Sequence, residues 1–391
     1  MMLIEFRTTN FRSIKEECCL SLVANNDDDT LRHSNVFEPQ LSTKPKNSIS
    51  LLSSAVIYGA NAAGKTNVLR AIREFKSIVT RCKYAVDKTI CNQQFDAEKL
   101  VEFEIIFLIK RVRYQYGFSA MPDQIYDEWL FAFPKERPQT LFERSYDVIN
   151  KKTKFTFNKI LDIDSELIDS KNYDNCLFLS TCQISRRKHL KNAYDFILGI
   201  NCVLRDLSRP GLRGMYPDSI EYKERINELI ELLGSDKIDP LSNWNSTQFM
   251  SKWSPGEIKI FNIACRISQV LIRGCTITID NLSDNLHSNV VKQLIEIFNN
   301  KKTNPKNAQL IFTTHDTSLM SAEVLRNDQI WFCNRNKNKE THLYSLNDFK
   351  KESLPTNIES AYLSGRFGAV QYIKPADNYN SSINSDTKQN D

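Results

Sequence analysis

The sequence has no long apolar segment. Its longest apolar runs, such as residues 51–58 and 105–109, are far shorter than the about 20 residues that a transmembrane helix needs. Charged residues at Glu5, Arg7 and Arg12 interrupt the first segment, so it lacks the apolar core of a secretory leader. These two absences predict a cytoplasmic protein that makes no use of the membrane.

The cysteines lack the spacing of a metal site. None of the ten forms a CxxC pair, and the adjacent Cys18 and Cys19 cannot hold zinc alone. Several cysteines lie in apolar runs, among them Cys265, Cys275 and Cys333. We therefore expect buried free thiols in a reducing compartment.

Nuclease motifs are also missing. The sequence shows no convincing H-N-H pattern, no H-x-E motif followed by C-x-x-C, and no clustered Asp-x-Asp with an upstream Glu. The acidic groups at residues 27–29 and 162–164 are better explained as solvated loop charges. Any nuclease or toxin activity is therefore expected in a separate effector protein.

The composition that remains is that of an ordinary globular protein. The chain has 391 residues, of which 41% are hydrophobic and 25% charged, enough for one large domain or two smaller ones. Its 52 Lys and Arg against 47 Asp and Glu give a net charge of +5. This mild positive charge permits contact with nucleic acid, but a solvated surface explains it more simply.

The order of predicted elements favours an α/β fold. Residues 101–133 are predicted to form an antiparallel meander, and residues 175–181 a further buried strand. From residue 257 onward strands and helices alternate, which favours a parallel sheet with helices on its faces. We predict an N-terminal lobe at 1–184, an inserted helical subdomain at 185–245, a C-terminal lobe at 246–375 and a disordered tail at 376–391.

Residues 59–66, GANAAGKT, match the phosphate-binding pattern G-x-x-x-x-G-K-[ST] in full, between a predicted strand and a predicted helix. Gly59 and Gly64 allow the loop to wrap closely around phosphates, which the N–H groups at the helix start attract. We expect Lys65 to reach the β- and γ-phosphates of ATP and Thr66 to ligate Mg²⁺. The strand-loop-helix context makes a chance match in a turn the weaker explanation.

Three weaker motifs lie further along the chain. Residues 275–280 form an apolar strand pattern that ends in an acid, and Asp280 is expected to hold Mg²⁺. Ser254 and Gly256 open a predicted helix and resemble the second anion site of the ABC signature, although alone they are better explained as a helix cap. His315 follows a predicted strand and can hydrogen-bond a γ-phosphate, although alone it would be an ordinary turn residue.

The order of these four motifs is more informative than any one of them. A P-loop, a signature, a strand that ends in Asp and a strand that ends near His follow each other as they do in ABC-class ATPases. In this class the signature of one subunit faces the P-loop of the other, so nucleotide holds two heads together. The order therefore predicts a homodimer or higher homo-oligomer with a composite site.

Further segments resemble prokaryotic AAA/ABC-type ATPases related to OLD, RecF and SMC heads, many of them from phage-defence loci such as Septu, PARIS and retron-associated systems. The resemblance implies a P-loop NTPase fold, with an ABC-ATPase-like head, an N-terminal antiparallel β-subdomain and an inserted helical arm, acting beside an effector. The short arm and the lack of a heptad coil distinguish the chain from a full SMC protein. Arg12, Asn61 and Asn67 are further candidate nucleotide-binding residues. The resembling segments are 2–6, 10–14, 59–66, 127–130, 141–144, 286–287, 328–332 and 362–369.

The chain departs from this family next to the Walker B strand. Asn281 stands where the family carries a Glu that polarises the attacking water, and Asn cannot accept a proton as a carboxylate does. Ser283 stands where the family usually has Asp, with Asp284 displaced by one residue. The glutamine of the Q-loop is uncertain, because Gln93 and Gln94 lie in a poorly matching segment.

Two interpretations of hydrolysis follow. Loss of a general base commonly slows a reaction by about 10²- to 10⁴-fold, which favours a slow or inactive ATPase that uses ATP as a structural ligand. The alternative is a working ATPase whose water is oriented by Asn281 together with His315 or Asp284. We favour the first, because the missing proton acceptor is the more specific observation.

Two classes of function also stay open. The first is a nucleotide-gated defence ATPase that assembles or restrains an effector. The second is a RecF-like head in DNA maintenance, whose ATP clamp grips duplex DNA. A short basic cluster at residues 186–189 could meet nucleic-acid phosphates or an acidic partner, although an exposed helical face explains it more simply.

Overall fold

The computed structural model describes residues 1–39, 49–81, 99–122, 124–134, 137–161, 163, 176–181, 187–204, 206–209, 219–245, 251, 253–350 and 354–371. The strands are β1 (Met2–Thr9), β2 (Cys18–Ser21), β3 (Val36–Phe37), β4 (Leu51–Leu52), β5 (Ser54–Tyr58), β6 (Val101–Ile109), β7 (Val112–Met121), β8 (Gln124–Phe133), β9 (Gln139–Asp147), β10 (Lys152–Phe157), β11 (Asn201–Val203), β12 (Thr276–Ile279), β13 (Gln309–Thr313), β14 (Ile330–Arg335) and β15 (Thr341–Ser345). The helices are α1 (Arg32–Asn35), α2 (Lys65–Thr80), α3 (Lys188–Gly199), α4 (Ile220–Leu232), α5 (Pro255–Arg273), α6 (Ser288–Asn299) and α7 (Ile358–Leu363). Across this described part of the chain, every helix is too short or too polar to span a bilayer.

The larger sheet is antiparallel and runs in the order β10-β9-β8-β7-β6-β1-β2. An aromatic cluster joins one of its faces to α2. Phe75 of this helix has its ring centroid 5.7 to 6.1 Å from those of Phe6, Phe103, Tyr116 and Phe118. Aromatic rings bury large areas and pack in specific geometries. This cluster therefore fixes the direction of α2, the helix that begins at the P-loop.

The second sheet has the order β11-β12-β13-β5-β14-β15 and is parallel except for its last strand. Alternate residues of β5 face two different cores. Ala55 and Ile57 belong to the core shared with α2 and the antiparallel sheet, whereas Val56 and Tyr58 belong to the core formed with α4, α5 and α6. Because both faces are covered, β5, β12 and β13 are buried over their whole length. The predicted parallel sheet between helical layers is confirmed.

The two sheets are hydrogen-bonded to each other through Gln309, the first residue of β13. Its buried side chain accepts the N–H of Leu3 through Oε1 (2.6 Å) and donates through Nε2 to the carbonyl oxygens of Leu3 (3.0 Å) and Leu52 (3.1 Å). These hydrogen bonds fix how the two sheets meet, because leaving any of the buried donors or acceptors unpaired would cost free energy of folding. The first strand of the chain is thus held by a residue that lies 306 positions after Leu3.

The strand predicted at residues 175–181 is wrong. Its described part contains a short 3-10 helix, Phe178–Ser180. The buried carboxylate of Glu128 accepts the N–H groups of Phe178 (2.7 Å) and Leu179 (3.0 Å). A carboxylate that captures two successive N–H groups satisfies them without a sheet partner. This long-range contact overrides the apolar pattern of the segment.

Residues 185–245 contain the predicted helices α3 and α4, but they also contribute to the parallel sheet. Their short strand β11 pairs with β12 from Asn201 opposite Ile277 to Val203 opposite Ile279. Three residues are too few to show an alternating pattern in the sequence. The domain boundaries stay a prediction, and the tail at 376–391 lies outside the described residues.

Some of the cysteines that were expected to be buried are buried in the structure. Cys265 and Cys333 are buried, whereas Cys275 is partly exposed. Burial raises the pKa of the Cys333 thiol to about 12, so it is protonated at neutral pH. It is therefore a packing residue rather than a reactive one.

Candidate nucleotide-binding site

The predicted motifs meet at one edge of the parallel sheet. The P-loop follows β5, Asp280 follows β12 and His315 lies two residues beyond β13. These three strands are adjacent and parallel, so their carboxyl ends lie side by side. In open α/β sheets this edge is where ligands bind.

Both glycines of the P-loop pass close to other parts of the chain. A Cβ on Gly64, whose φ is +111°, would lie 2.1 Å from Oγ1 of Thr341. A Cβ on Gly59 would lie 2.3 Å from the carbonyl oxygen of Cys333. Only glycine fits at either position. The outer wall of the P-loop is thus built by β14 and β15, whose contacts with Ala63 join residues 270 and 278 positions apart.

The side chain of Lys65 folds back over the P-loop. Its Nζ donates to the carbonyl oxygens of Gly59 (2.8 Å) and Ala60 (3.0 Å). Burial lowers the pKa of this ammonium group, and Asp280 acts in the opposite direction. The first N–H groups of α2 have no partner within the helix. The loop therefore combines a cation with the N–H groups of a helix start, which suits a phosphate chain.

The hydroxyl of Thr66 and the carboxylate of Asp280 are in direct contact. Thr66 Oγ1 donates to Asp280 Oδ2 at 2.8 Å. A hydroxyl and a carboxylate are oxygen ligands of the kind that Mg²⁺ prefers, and the P-loop would supply phosphate oxygens next to them. The two predicted metal ligands therefore fit Mg²⁺ in chemistry and in position.

Thr313 is a member of the site that the sequence did not reveal. Its hydroxyl donates to Asp280 Oδ1 (2.7 Å) and accepts the N–H of Asn281 (2.8 Å). Asp280 is thus held through both of its oxygens, one by Thr66 and one by Thr313. The only signal in the sequence was the position of Thr313 at the end of a strand, two residues before His315.

Asn281 begins a tight loop that a buried lysine holds in place. Its φ is +51°, and that of Asn285 is +59°, a backbone conformation that Asn tolerates better than most residues. Lys259 of α5 donates from Nζ to the carbonyl oxygens of Asn281 (2.9 Å) and Asp284 (2.6 Å). Ser283 shares a hydrogen bond of 2.7 Å with Thr314. The loop after the Walker B strand is therefore tied to α5 and to β13.

His315 is exposed beside these groups. The pKa of its imidazole is lowered because the surrounding protein partly desolvates it and because Lys65 lies nearby, while Asp284 and Asp280 act in the opposite direction. The imidazole of His315 therefore interacts electrostatically with Lys65, Asp284 and Asp280.

Ser254 lies on the surface at the start of α5. It forms a capping box, in which its Oγ accepts the N–H of Glu257 (3.3 Å) and the carboxylate of Glu257 accepts the N–H of Ser254 (2.8 Å). A Cβ on Gly256 would lie 3.1 Å from the carbonyl oxygen of Asn285. Among the described residues, no hydrogen bond joins Ser254 to the P-loop of its own chain. The helix start is therefore both capped and open to solvent.

Asn67 supports the wall of the P-loop. Its Nδ2 donates to Ser13 Oγ (2.7 Å), and Ser13 Oγ lies 2.7 Å from Thr341 Oγ1. Thr341 in turn donates to the carbonyl oxygen of Ala63 at 3.1 Å. This chain of hydroxyls and amides connects the turn after β1, the P-loop and β15. A direct contact of Asn67 with nucleotide stays a prediction.

Arg12 lies in the turn after β1, with φ +53°. Its guanidinium carbon is 5.7 Å from the ring centroid of Phe11, and its Nε lacks a hydrogen-bond partner within the described part of the chain. Partial burial and the nearby Arg70 and Arg73 lower its pKa. An arginine held among like charges can receive an anion.

Asn61 lies in the P-loop, where its contact with nucleotide stays a prediction. Its N–H donates to Oε1 of Gln371 at 3.0 Å.

Gln93 and Gln94, the Q-loop candidates, lie outside the described residues, as does Arg186 of the basic cluster. In that cluster, Arg187 donates to the carbonyl oxygen of Leu161 (2.6 Å), and the ring of His189 is hydrogen-bonded to the hydroxyl of Tyr114. These two side chains of the cluster therefore have partners within the chain.

Several solved structures of SMC heads are similar to this chain. A head bound to the C-winged helix domain of ScpA is 14% identical, with a TM-score of 0.47, over 88% of this chain and 97% of that chain. The SMC head domain from Thermotoga maritima is 13% identical, with a TM-score of 0.41, over 88% and 99%. An Smc head with an extended coiled coil, bound to the C-terminal domain of ScpA derived from Pyrococcus furiosus, is 12% identical, with a TM-score of 0.42, over 88% and 96%.

No curated protein matches the chain. One protein-family model matches residues 54–321, which is more than half of the sequence and includes the P-loop, Ser254, Asp280 and His315. Its description is "AAA domain, putative AbiEii toxin, Type IV TA system". The chain, with its P-loop at the edge of a parallel sheet, belongs to this family of AAA domains.

Proposed function

We propose that this chain is a cytoplasmic ATP-binding subunit that uses Mg²⁺ and assembles through its nucleotide. The observation that carries the proposal is the hydrogen bond between Thr66 and Asp280, two residues 214 positions apart in the sequence. It brings the hydroxyl of the P-loop and the acid of the Walker B strand together. Lys65 and the N–H groups at the start of α2 would hold the phosphates, and Mg²⁺ would neutralise part of their charge.

Retention of labelled ATP tests this assignment. Wild type should retain ATP in the presence of Mg²⁺, and Lys65→Ala should lose it. Lys154→Ala, which removes an exposed lysine from β10, is the matched control and should bind as wild type does. Equal retention by wild type and Lys65→Ala would show that the site lies elsewhere.

We further propose that hydrolysis is slow. Asn281 supplies an amide where the resembling ATPases carry a carboxylate, and its backbone is held by Thr313 and Lys259. Without a proton acceptor, ATP would persist as a ligand that holds the site closed. The competing proposal is that Asp284 or His315, both near Lys65, replaces the missing Glu. Asp284 has the carboxylate that this role requires.

The surface position of Ser254 supports a composite site. Its helix start is exposed, and the resemblance to ABC-type heads implies that it faces the P-loop of a second subunit. We therefore propose an ATP-dependent homodimer, or a higher homo-oligomer, in which Ser254 and Gly256 complete the site of the partner. Light scattering with and without ATP measures this directly.

The biological role that best fits a slow, nucleotide-held dimer is a scaffold or regulator of an effector in anti-phage defence. The family description, which names a toxin of a Type IV system, points to the same setting. The effector would be a separate nuclease or toxin, and it should co-purify with the ATP-bound chain.

The second candidate role is a clamp on duplex DNA, as in RecF-like heads. The net charge of +5 and the arginines beside the P-loop favour it. Binding to plain duplex DNA that falls steeply with salt would support this role over the first.

A further inference from the structure

The C-terminal part of the described chain is packed on the face of the parallel sheet that also carries α4, α5 and α6. Phe332 of β14 stacks on Tyr362 and on Phe367, with ring centroids 5.5 and 5.2 Å apart. The hydroxyl of Tyr362 donates to the carbonyl oxygen of Ala369 at 3.2 Å. Phe367 and Ala369 are buried. The segment 362–371 is therefore anchored by its own core contacts, which fix the position of its end.

The end of this segment lies beside the beginning of the P-loop. The exposed side chain of Gln371 accepts the N–H of Asn61 through Oε1 at 3.0 Å. Because the partner is an N–H donor, the carbonyl end of the carboxamide must face the loop. Asn61 is the third residue of the eight-residue phosphate-binding pattern, whose backbone N–H groups are the donors to phosphate.

The lysine of the P-loop is also hydrogen-bonded within the protein. Lys65 Nζ donates to the carbonyl oxygens of Gly59 and Ala60 within the loop itself. One donor of the P-loop is thus paired with the C-terminal segment, and its cation is paired with the loop backbone. Both contacts involve groups that a triphosphate would require.

We propose that Gln371 is a phosphate surrogate, which occupies the Asn61 N–H until the phosphate chain of ATP displaces it. The proposal rests on the proposed function, since it assumes that the P-loop binds ATP. Gln371 is then a positioning residue of the nucleotide site that acts against binding. Through it, the position of the C-terminal segment sets the affinity of the chain for ATP.

Removing the Gln371 side chain should increase the affinity for ATP, whereas the loss of a merely structural contact would not. A neutral hydrogen bond of this kind stabilises by about 0.5–1.5 kcal/mol, so its removal should tighten ATP binding by about two- to tenfold. A carboxylate at the same position would accept the N–H more strongly and repel the phosphates. Gln371→Glu should therefore weaken ATP binding by about tenfold.

The experiment is a titration of the full-length chain with a fluorescent ATP analogue in Mg²⁺, for wild type, Gln371→Ala, Gln371→Glu and Lys65→Ala. Gln139→Ala, a glutamine on the distant strand β9, is the matched control and should bind as wild type does. Thermal unfolding without nucleotide reports whether each variant is folded. Because Gln371 is exposed, both of its variants should unfold within a few degrees of wild type.

Tighter binding by Gln371→Ala together with weaker binding by Gln371→Glu supports the proposal. Equal or weaker binding by Gln371→Ala, with wild type still binding ATP, overturns it and leaves the proposed function intact. If neither wild type nor Gln371→Ala binds ATP while both are folded, the proposed function fails, and the surrogate assignment fails with it.

Discussion

The ammonium group of Lys259 lies 2.6 Å from the carbonyl oxygen of Asp284 and donates a hydrogen bond to it. The same group also donates to the carbonyl oxygen of Asn281 at 2.9 Å. Lys259 belongs to the helix that Ser254 opens, and the two carbonyls belong to the loop that follows Asp280. One buried side chain therefore joins the helix that begins at Ser254 with the loop in which Asn281 stands.

Lys259→Met should test this connection. Methionine keeps the length of the stem but leaves both carbonyl oxygens without their donor, so we expect the free energy of unfolding to fall by about 1–3 kcal/mol. Urea denaturation measures the change, with Lys292→Met on α6 as the matched control. A loss no greater than that of the control would show that the two hydrogen bonds contribute little in solution.

Thr313→Val should weaken the metal-dependent part of ATP binding. The valine has a similar shape but removes the hydrogen bond to Asp280 Oδ1 and the acceptor of the Asn281 N–H. We expect ATP affinity in Mg²⁺ to fall by about tenfold, and affinity in EDTA to change less. Titrations with and without Mg²⁺ measure both, and Thr313→Ser should restore binding. Equal losses in Mg²⁺ and EDTA would point to a general structural role.

Asn281→Glu should increase phosphate release. If ATP is a long-lived structural ligand, which we call the latch interpretation, wild type should release phosphate at close to the background rate, and a restored proton acceptor should raise this rate by about 10²-fold or more. Steady-state phosphate release measures it, with Lys65→Ala as the control for contaminating ATPases. A wild-type rate of about one per second or faster, abolished in Lys65→Ala, would contradict the latch, and Asp284 and His315 would then be the residues to mutate.

Ser254→Arg should prevent the ATP-dependent dimer. A large cation at an exposed helix start would obstruct the nucleotide of a facing subunit and would also remove the helix cap, which costs about 1 kcal/mol. Ser254→Asn keeps a good cap and separates the two effects. Light scattering should show a dimer with ATP for wild type and Ser254→Asn, but not for Ser254→Arg. A mass that ignores both ATP and the substitution would exclude the ATP-gated assembly.

The sequence predicted the parts of the site that depend on local chemistry. The P-loop requires glycines, a lysine and a hydroxyl at fixed spacing, and Asp280 required only a strand that ends in an acid. Both follow strands of the parallel sheet, as predicted. Their positions could be read from the sequence because the strand, the loop and the helix start are contiguous in the chain, whereas their part in binding ATP stays a prediction.

The rest of the site depends on contacts between distant residues, which leave no local pattern. Thr313, Lys259 and Gln371 act through hydrogen bonds to residues 22 to 310 positions away. In the same way, the apolar segment at 175–181 was predicted as a strand, because no residue near it in the sequence indicates that its N–H groups donate to the distant Glu128. Tertiary contacts override local preference at such positions.

The tie that Gln309 makes to Leu3 has a consequence for synthesis of the chain. The N–H and carbonyl groups of Leu3 emerge from the ribosome long before the amide that satisfies them, which lies 306 residues later. The antiparallel sheet and α2 can collapse around their aromatic cluster, but β1 cannot form its contact with the second sheet until translation has passed β13. Long-range pairing of this kind slows folding and leaves an open edge in the meantime. A nascent chain that stops before residue 309 should therefore need chaperones more than the finished protein does.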